Sequence, residues 1–155
     1  MNATSPINRL EKSTFRNMTS AKAYLLDTDT CIYTIKQKPC SVVEKVKKTK
    51  ESKIFISSIT VSELEYGLQK SKMRNKTREA LIRFLVPFNI VDFTSSDAYQ
   101  YGIIRSYLES IGQIIGPYDQ QIAAQAISRK LILVTNNIKE FSRIPDLKLE
   151  NWVKD

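Results

Sequence analysis

The chain has 155 residues, 24 Lys and Arg against 16 Asp and Glu, a formal net charge of +8, and no histidine. That length suits one domain with a sizeable core, and the positive charge favours a polyanionic partner such as nucleic acid. The missing histidine excludes Ser-His-Asp and Cys-His catalysis and any His-ligated zinc site, so carboxylates, lysines, hydroxyls or a bound metal must carry any chemistry. Cys31 and Cys40 make no Cys-x-x-Cys pair, which argues against a disulfide framework or a thiolate metal site. No apolar run nears the roughly 18 residues of a membrane span, and no signal-peptide centre is evident. A reduced, cytoplasmic setting without membrane contact is expected.

In chain order, residues 1–20 are polar and aperiodic, with Pro6 among Ser, Thr and Asn. They read as a disordered extension, and Met18 offers an alternative start just before the domain, which is taken as residues 21–155. Residues 23–26, Ala-Tyr-Leu-Leu, are a short apolar run ended by Asp27, Thr28, Asp29 and Thr30. This is the pattern of a buried parallel strand feeding a helix. Ile32, Tyr33 and Ile35 continue that helix to a stop before Pro39. Ser41-x-x-Glu44 reads as a capping box for a helix with Val42, Val43 and Val46 on one face. Residues 53–58 are the second strand, followed by a helix over 59–71 striped by Ile59, Leu64 and Leu68. A helix over 77–85 ends near Pro87, and 88–93 is the third strand. Ser95 or Ser96 is expected to cap the next helix, running through Leu108. Pro117 opens another helix at its first position, 131–135 is the fourth strand, and a short helix near Glu140 precedes a closing segment over 147–152. Strands alternating with helices imply an α/β domain with a parallel sheet covered on both faces.

Four polar points recur just past a strand or in the first turn of a helix: Asp27, Glu63, Asp119, and the Asn136/Asn137–Glu140 segment. Right-handed crossovers place the strand ends on one edge, so these groups converge. Two carboxylates about 5 Å apart repel by roughly 3 kcal/mol at an effective dielectric near 20, so the cluster calls for a cation or a proton. With oxygen donors alone that cation is Mg²⁺ or Mn²⁺. Each residue also has a plain structural reading: Asp27 as a helix cap, Glu63 as the end of a Thr60-Val-Ser-Glu capping box, Asp119 as a dipole-complementing acid, Asn136 and Asn137 as strand-ending caps, and Glu140 as a solvated helix residue. The joint placement in a basic, histidine-free chain favours the site. Thr28, Ser57, Ser58 and Thr135 are expected to hold carboxylates in place, Asp29 is ambiguous, and Glu65 points away as a structural acid.

Leu26-Asp-Thr-Asp, Ile56-Ser-Ser-Ile-Thr-Val-Ser-Glu-Leu-Glu-Tyr-Gly, Ile115-Gly-Pro-Tyr-Asp-Gln-Gln-Ile-Ala-Ala and Val134-Thr-Asn-Asn-Ile-Lys-Glu-Phe, with Glu150-Asn-Trp after them, resemble the PIN-domain ribonuclease toxins called VapC. The resemblance implies a Rossmann-like α/β/α sandwich with a central, mainly parallel sheet. It also implies Mg²⁺- or Mn²⁺-dependent endoribonuclease activity, with tRNA the leading substrate, a VapB-type antitoxin, and a homodimer. Carried over by motif, Asp27, Glu63 and Asp119 are the metal-binding acids. Glu140 corresponds to the fourth catalytic acid in some relatives sharing Thr-Asn-Asn, although the family's fourth acid often stands where this chain has Asn137. Asp29 occupies a position where many members have Asn. The activated water would attack phosphorus in line, with Lys36, Lys38, Lys70, Lys72 and Arg74 holding RNA phosphates, joined by Lys45, Lys47, Lys48, Lys50, Lys76 and Arg78.

Two other readings compete. Asp27-x-Asp29 after a strand resembles the nucleophile motif of haloacid-dehalogenase phosphatases, in which Asp27 would attack phosphorus. Cys31 and the missing late Asp-Asp pair count against it. A non-catalytic PIN-like module binding RNA or protein would suit Asn137 in an acidic position, whereas the intact Asp27, Glu63 and Asp119 set opposes it.

Overall fold

In the computed structural model, which describes residues 21–154, the apolar run before Asp27 is strand β1 (Tyr24–Leu26) and leads into α1 (Thr28–Ile35) and α2 (Cys40–Lys48). A single 3₁₀ turn, Glu51–Lys53, precedes β2 (Ile54–Ser57), α3 (Ser58–Gln69) and α4 (Arg74–Leu85). Then come β3 (Asn89–Val91), α5 (Ser95–Ser110), α6 (Pro117–Ser128), β4 (Ile132–Val134), α7 (Ile138–Phe141) and β5 (Leu149–Glu150). The expectations for residues 1–20 and for Met18 lie outside the described residues. No helix among those described is long and apolar enough to cross a membrane.

The five strands form one sheet in the order β3-β2-β1-β4-β5, and every pairing is parallel. Successive side chains of a strand point to opposite faces, and the two cores divide accordingly. Tyr24, Leu26, Ile54, Ile56 and Val134 meet Cys31, Val42, Val46, Leu64, Leu68, Leu81 and Phe84 from α1–α4. Leu25 and Leu133 meet Ile104, Leu108, Ile122, Ala123 and Ala126 from α5 and α6, with Phe141 of α7. The strands read as continuous apolar runs because both faces are covered, and each fully buried Leu or Ile contributes about 1.5–3 kcal/mol. From β1 the chain steps outward through β2 to β3 along one face, then returns over the other face to β4. The order therefore reverses between β1 and β4, and in open α/β sheets a ligand crevice lies beyond the strand ends at such a point.

Three expected caps are corrected by the structure. Ser41 lies inside α2, which starts one residue earlier after Pro39 with no side-chain cap; its Oγ instead accepts from Lys154 N at 3.1 Å. The fixed φ of Pro39 supplies the extended entry geometry that the box would otherwise have set. Thr60 lies within the first turn of α3, because Ser57 at the end of β2 is the cap and accepts from Ile59 N at 3.0 Å. Thr94, rather than Ser95 or Ser96, caps α5 in a reciprocal box with Asp97, whose Oδ2 accepts from Thr94 N at 2.8 Å.

Candidate active site

Asp27 ends β1, and its backbone N–H donates to Val134 O at 3.0 Å, which fixes it at the reversal point between β1 and β4. Its Oδ1 accepts from Thr30 N at 2.8 Å, so the residue does cap α1 as the plain reading holds. Capping engages one carboxylate oxygen and leaves the group 5 % exposed at the cleft floor. Burial pushes its carboxyl above the usual carboxylate range, and the Asp29 charge adds to this. The Thr135 hydroxyl and Thr30 work in the opposite direction.

Glu63 sits in the second turn of α3, freed from capping because Ser57 does that work. Its Oε1 accepts from Thr28 Oγ1 at 2.7 Å, and Thr28 Oγ1 also lies 3.2 Å from Thr60 Oγ1. The residue after Asp27 thus ties the α3 acid to the β1 acid. Asp119 stands in the first turn of α6, the turn that Pro117 opens. Burial is the largest influence on it, followed by the negative charges of Glu63, Asp27, Glu140 and Asp29, and together they raise its carboxyl from 3.8 to about 6. Acids drawn from four separate elements therefore share one electrostatic field.

After β4, Asn137 is the N-cap residue of α7, with its backbone N–H on Thr135 Oγ1 at 2.9 Å. Its Nδ2 donates to Glu140 Oε2 at 2.6 Å. The asparagine in the acidic position and the acid one turn later are thus a bonded pair. Asn136 turns outward, accepting from Asn151 Nδ2 at 3.2 Å. Ser58 does not hold a carboxylate; its carbonyl accepts from Ser62 Oγ at 3.0 Å. Glu65, as expected, faces elsewhere, in a two-pronged pair with Arg78 at 3.2 and 2.9 Å. That pairing occupies Arg78, which had been expected to hold phosphate.

The acids open into a cleft of about 770 Å³ lined by Asp27, Thr28, Asp29, Ile32, Ile59, Ser62, Glu63, Tyr66, Tyr118 and Asp119. Among the described residues no basic side chain lines it. A smaller hollow of about 370 Å³, lined by Trp152 with Glu44 and Glu150 among lysines, shares no lining residue with this cleft. Sequence reasoning passed over Ile32, Ile59, Ser62, Tyr66 and Tyr118. Two of these carried a signal, since Tyr118 adjoins Asp119 and Tyr66 follows Glu63 by one helical turn.

The donor set suits a hard divalent cation: oxygen ligands only, and a carboxylate field with no positive partner in the cleft among the described residues. Among the described residues no group of three or more Asp, Glu or Cys side chains is gathered closely enough to hold a metal ion together. The backbone N–H groups at the starts of α1 and α3 add partial positive charge beside the acids. Thr28→Val removes the hydroxyl on Glu63 while keeping the side-chain shape. It is expected to weaken Mg²⁺ or Mn²⁺ binding by about 10- to 100-fold with little change in unfolding temperature; titration calorimetry checks this, and unchanged affinity would remove Glu63 from the ion's surroundings.

Lys36, Lys38, Lys70, Lys72 and Arg74 are all exposed. Lys36 is the C-cap residue of α1, about 13 Å along the helix from Asp27 at 1.5 Å per residue. Lys70, Lys72, Arg74 and Lys76 crowd the turn between α3 and α4. Lys48 lies 3.9 Å from Glu44, and Lys45 lies over the Trp152 ring at 5.8 Å.

A family model described as PIN domain matches residues 24–147. Ribonuclease VapC2 of Rickettsia felis is 46% identical over 132 residues, covering 84% of this chain and 98% of that protein. The tRNA(fMet)-specific endonuclease VapC of Shigella flexneri is 42% identical, covering 83% and 97%. Among solved structures, DNA-bound VapBC from Salmonella typhimurium superposes with a TM-score of 0.81 at 41% identity, covering 86% of this chain and all of that one.

Proposed function

The chain belongs to the PIN-domain family in its VapC branch, and on that premise we propose that it is a Mg²⁺- or Mn²⁺-dependent endoribonuclease toxin. Its substrate class is RNA, with tRNA foremost, and an antitoxin of the VapB kind restrains it. The relatives' names and the VapBC complex support the nuclease and antitoxin parts of this reading. Burial and the charges of Glu63, Asp27, Glu140 and Asp29 raise the Asp119 carboxyl to about 6, and this crowding of acids at one cleft supports a cation there. A homodimer is part of the proposal, and Tyr99, Ile103 and Tyr107, exposed along one side of α5, offer apolar surface for it.

The chemistry such a cation would supply is neutralisation of phosphate charge and activation of a water for in-line attack. Asp27 and Asp119 would hold it. Thr28 bonds the Glu63 carboxylate at the cleft, and Asn137 bonds Glu140, whose charge reaches Asp119 although its side chain does not line the cleft. Ile32 and Ile59 give the cleft an apolar flank that limits water. The Asn137–Glu140 pair retains an acid beside the last inner strand, which speaks against the non-catalytic reading. Nothing in the geometry favours the aspartyl phosphatase.

The decisive experiment is incubation of purified protein with total tRNA, with ribosomal RNA beside it, in Mg²⁺, in Mn²⁺ and in chelator. Discrete cleavage that needs the metal and favours tRNA is the expected result. Salt-sensitive tRNA binding without cleavage in either metal would support the binding module instead.

The acid field also sets a pH dependence. The folded value of Asp119 lies above its ordinary 3.8, so without metal its ionised form is penalised, and this group adds stability as pH falls through about 6 toward 4. Asp27 acts in the same direction. Metal needs the carboxylates deprotonated, so its stabilisation runs oppositely. The rise in unfolding temperature on adding Mg²⁺ is expected to grow between pH 5 and 7, and calorimetry at both pH values checks it. A constant rise would separate Asp119 from the ion.

A further inference from the structure

Two large aromatic side chains border the acidic cleft and are left open: Tyr66 is 66 % exposed and Tyr118 is 57 % exposed. Tyr66 lies on α3 one turn beyond Glu63, and Tyr118 lies on α6 immediately before Asp119. Helices α3 and α6 thus each contribute an acid and an open ring beside it. Leaving two such rings in water forgoes their burial, and neither packs into either core. Lys70 Nζ sits 4.9 Å from the Tyr66 ring centroid. From there the basic turn of Lys72, Arg74 and Lys76 continues away from the acids. Acid, ring, lysine and basic turn follow one another along α3.

That succession matches the way a single strand is gripped. Bases stack on aromatic faces while cations follow the phosphates, and every base offers a π-face, so the grip tolerates any sequence. A duplex hides its base faces and could not use the rings. We propose that Tyr66 and Tyr118 are base-stacking platforms that hold the unpaired nucleotides flanking the phosphate presented to the acids. This rests on the ribonuclease reading. It adds that the site engages RNA through bases flipped out of pairing, with the strand leaving over Lys70 toward the α3–α4 turn.

The test uses the full chain carrying Asp27→Asn, in Mg²⁺, so that binding is read without cleavage. The probes are a labelled single-stranded oligoribonucleotide, its paired duplex, and a strand of equal length whose nucleotides are all abasic. Tyr66→Ala and Tyr118→Ala are each expected to weaken single-strand binding on the order of tenfold, while leaving abasic-strand and duplex binding unchanged. Tyr66→Phe and Tyr118→Phe should bind as the parent does. The proposal is overturned if Ala variants bind the single strand normally, if Phe variants lose as much as Ala variants, or if the abasic strand loses equally. It is also overturned if the parent prefers duplex, or if Ala changes leave RNA binding intact and abolish only binding of a protein partner. Failure of the ribonuclease reading is a separate outcome: unmutated protein would then not cleave in metal, while the stacking signature is scored from binding alone.

Discussion

Asp27→Asn and Asp119→Asn are each expected to lower metal-dependent RNA cleavage by about a thousandfold or more. A metal bound at a phosphoryl centre supplies several kcal/mol of transition-state stabilisation, and about 4 kcal/mol corresponds to a factor near 10³. Neither variant should lose stability, because burial penalises the ionised carboxyl at both positions. Asn is as good an N-cap as Asp, so Asp27→Asn keeps the bond from Thr30 N that starts α1. Asp119→Asn removes a charge that Glu63, Asp27, Glu140 and Asp29 repel, so the metal-free variant should melt above the parent at pH 7. Higher stability with lost activity is the signature of a site whose charges are kept for function. Single-turnover cleavage and thermal unfolding measured on the same preparations check both halves. Activity within tenfold of the parent in either variant would remove that residue from the metal's ligands.

Asp97→Ala is expected to cost about 3 kcal/mol of folding stability, because removing this buried carboxylate leaves the donors aimed at it, and the half-buried Arg129, without their acceptor. The Asp97 carboxylate is 1 % exposed and lies 3.1 Å from Arg129 Nη2. It also accepts from Thr94 N, from Thr94 Oγ1 at 3.0 Å and from Ser128 Oγ. Burial alone would raise its carboxyl; the Ser128 and Thr94 hydrogen bonds and the Arg129 charge outweigh burial and hold it below the ordinary value. A lowered carboxylate contributes stability above its unfolded value and loses it as pH falls through the folded one. The deficit of Asp97→Ala should therefore be largest near neutrality and shrink below about pH 4. For a domain of this size about 3 kcal/mol lowers the unfolding temperature by roughly 6–12 °C. Calorimetry at pH 7 and pH 3.5 checks the size and the trend; equal deficits at both would mean that the charge does not matter. The network joins the start of α5 to the end of α6, the helix whose first turn holds Asp119, so some loss of cleavage should accompany it.

Asp97 also shows where reading the chain falls short. Thr94-Ser-Ser-Asp97 has the spacing of a capping box, yet neighbouring Ser95 and Ser96 are equally good cap residues, and Ser128 and Arg129 lie 31 and 32 positions away. The same ambiguity misplaced the caps at Ser41 and Thr60. A hydroxyl followed three residues later by an acid is common, and which hydroxyl begins the helix depends on where the preceding strand or proline leaves the backbone.

The sequence by itself determined the alternation of apolar runs and amphipathic stretches, and with it the α/β class and the parallel sheet, whereas the order of the strands came only from the structure. It also placed Asp27, Glu63 and Asp119 beside strand ends or helix starts, because burial periodicity and helix-start chemistry are local properties of the chain. Tertiary structure alone decided what those residues touch: that Thr28 reaches Glu63, that Asn137 holds Glu140, that Asn136 turns away, and that Arg78 is taken by Glu65. It also left Tyr66 and Tyr118 open at the cleft. These outcomes depend on the distance and direction between side chains dozens of residues apart, and those are set only when two cores close on opposite faces of one twisted sheet.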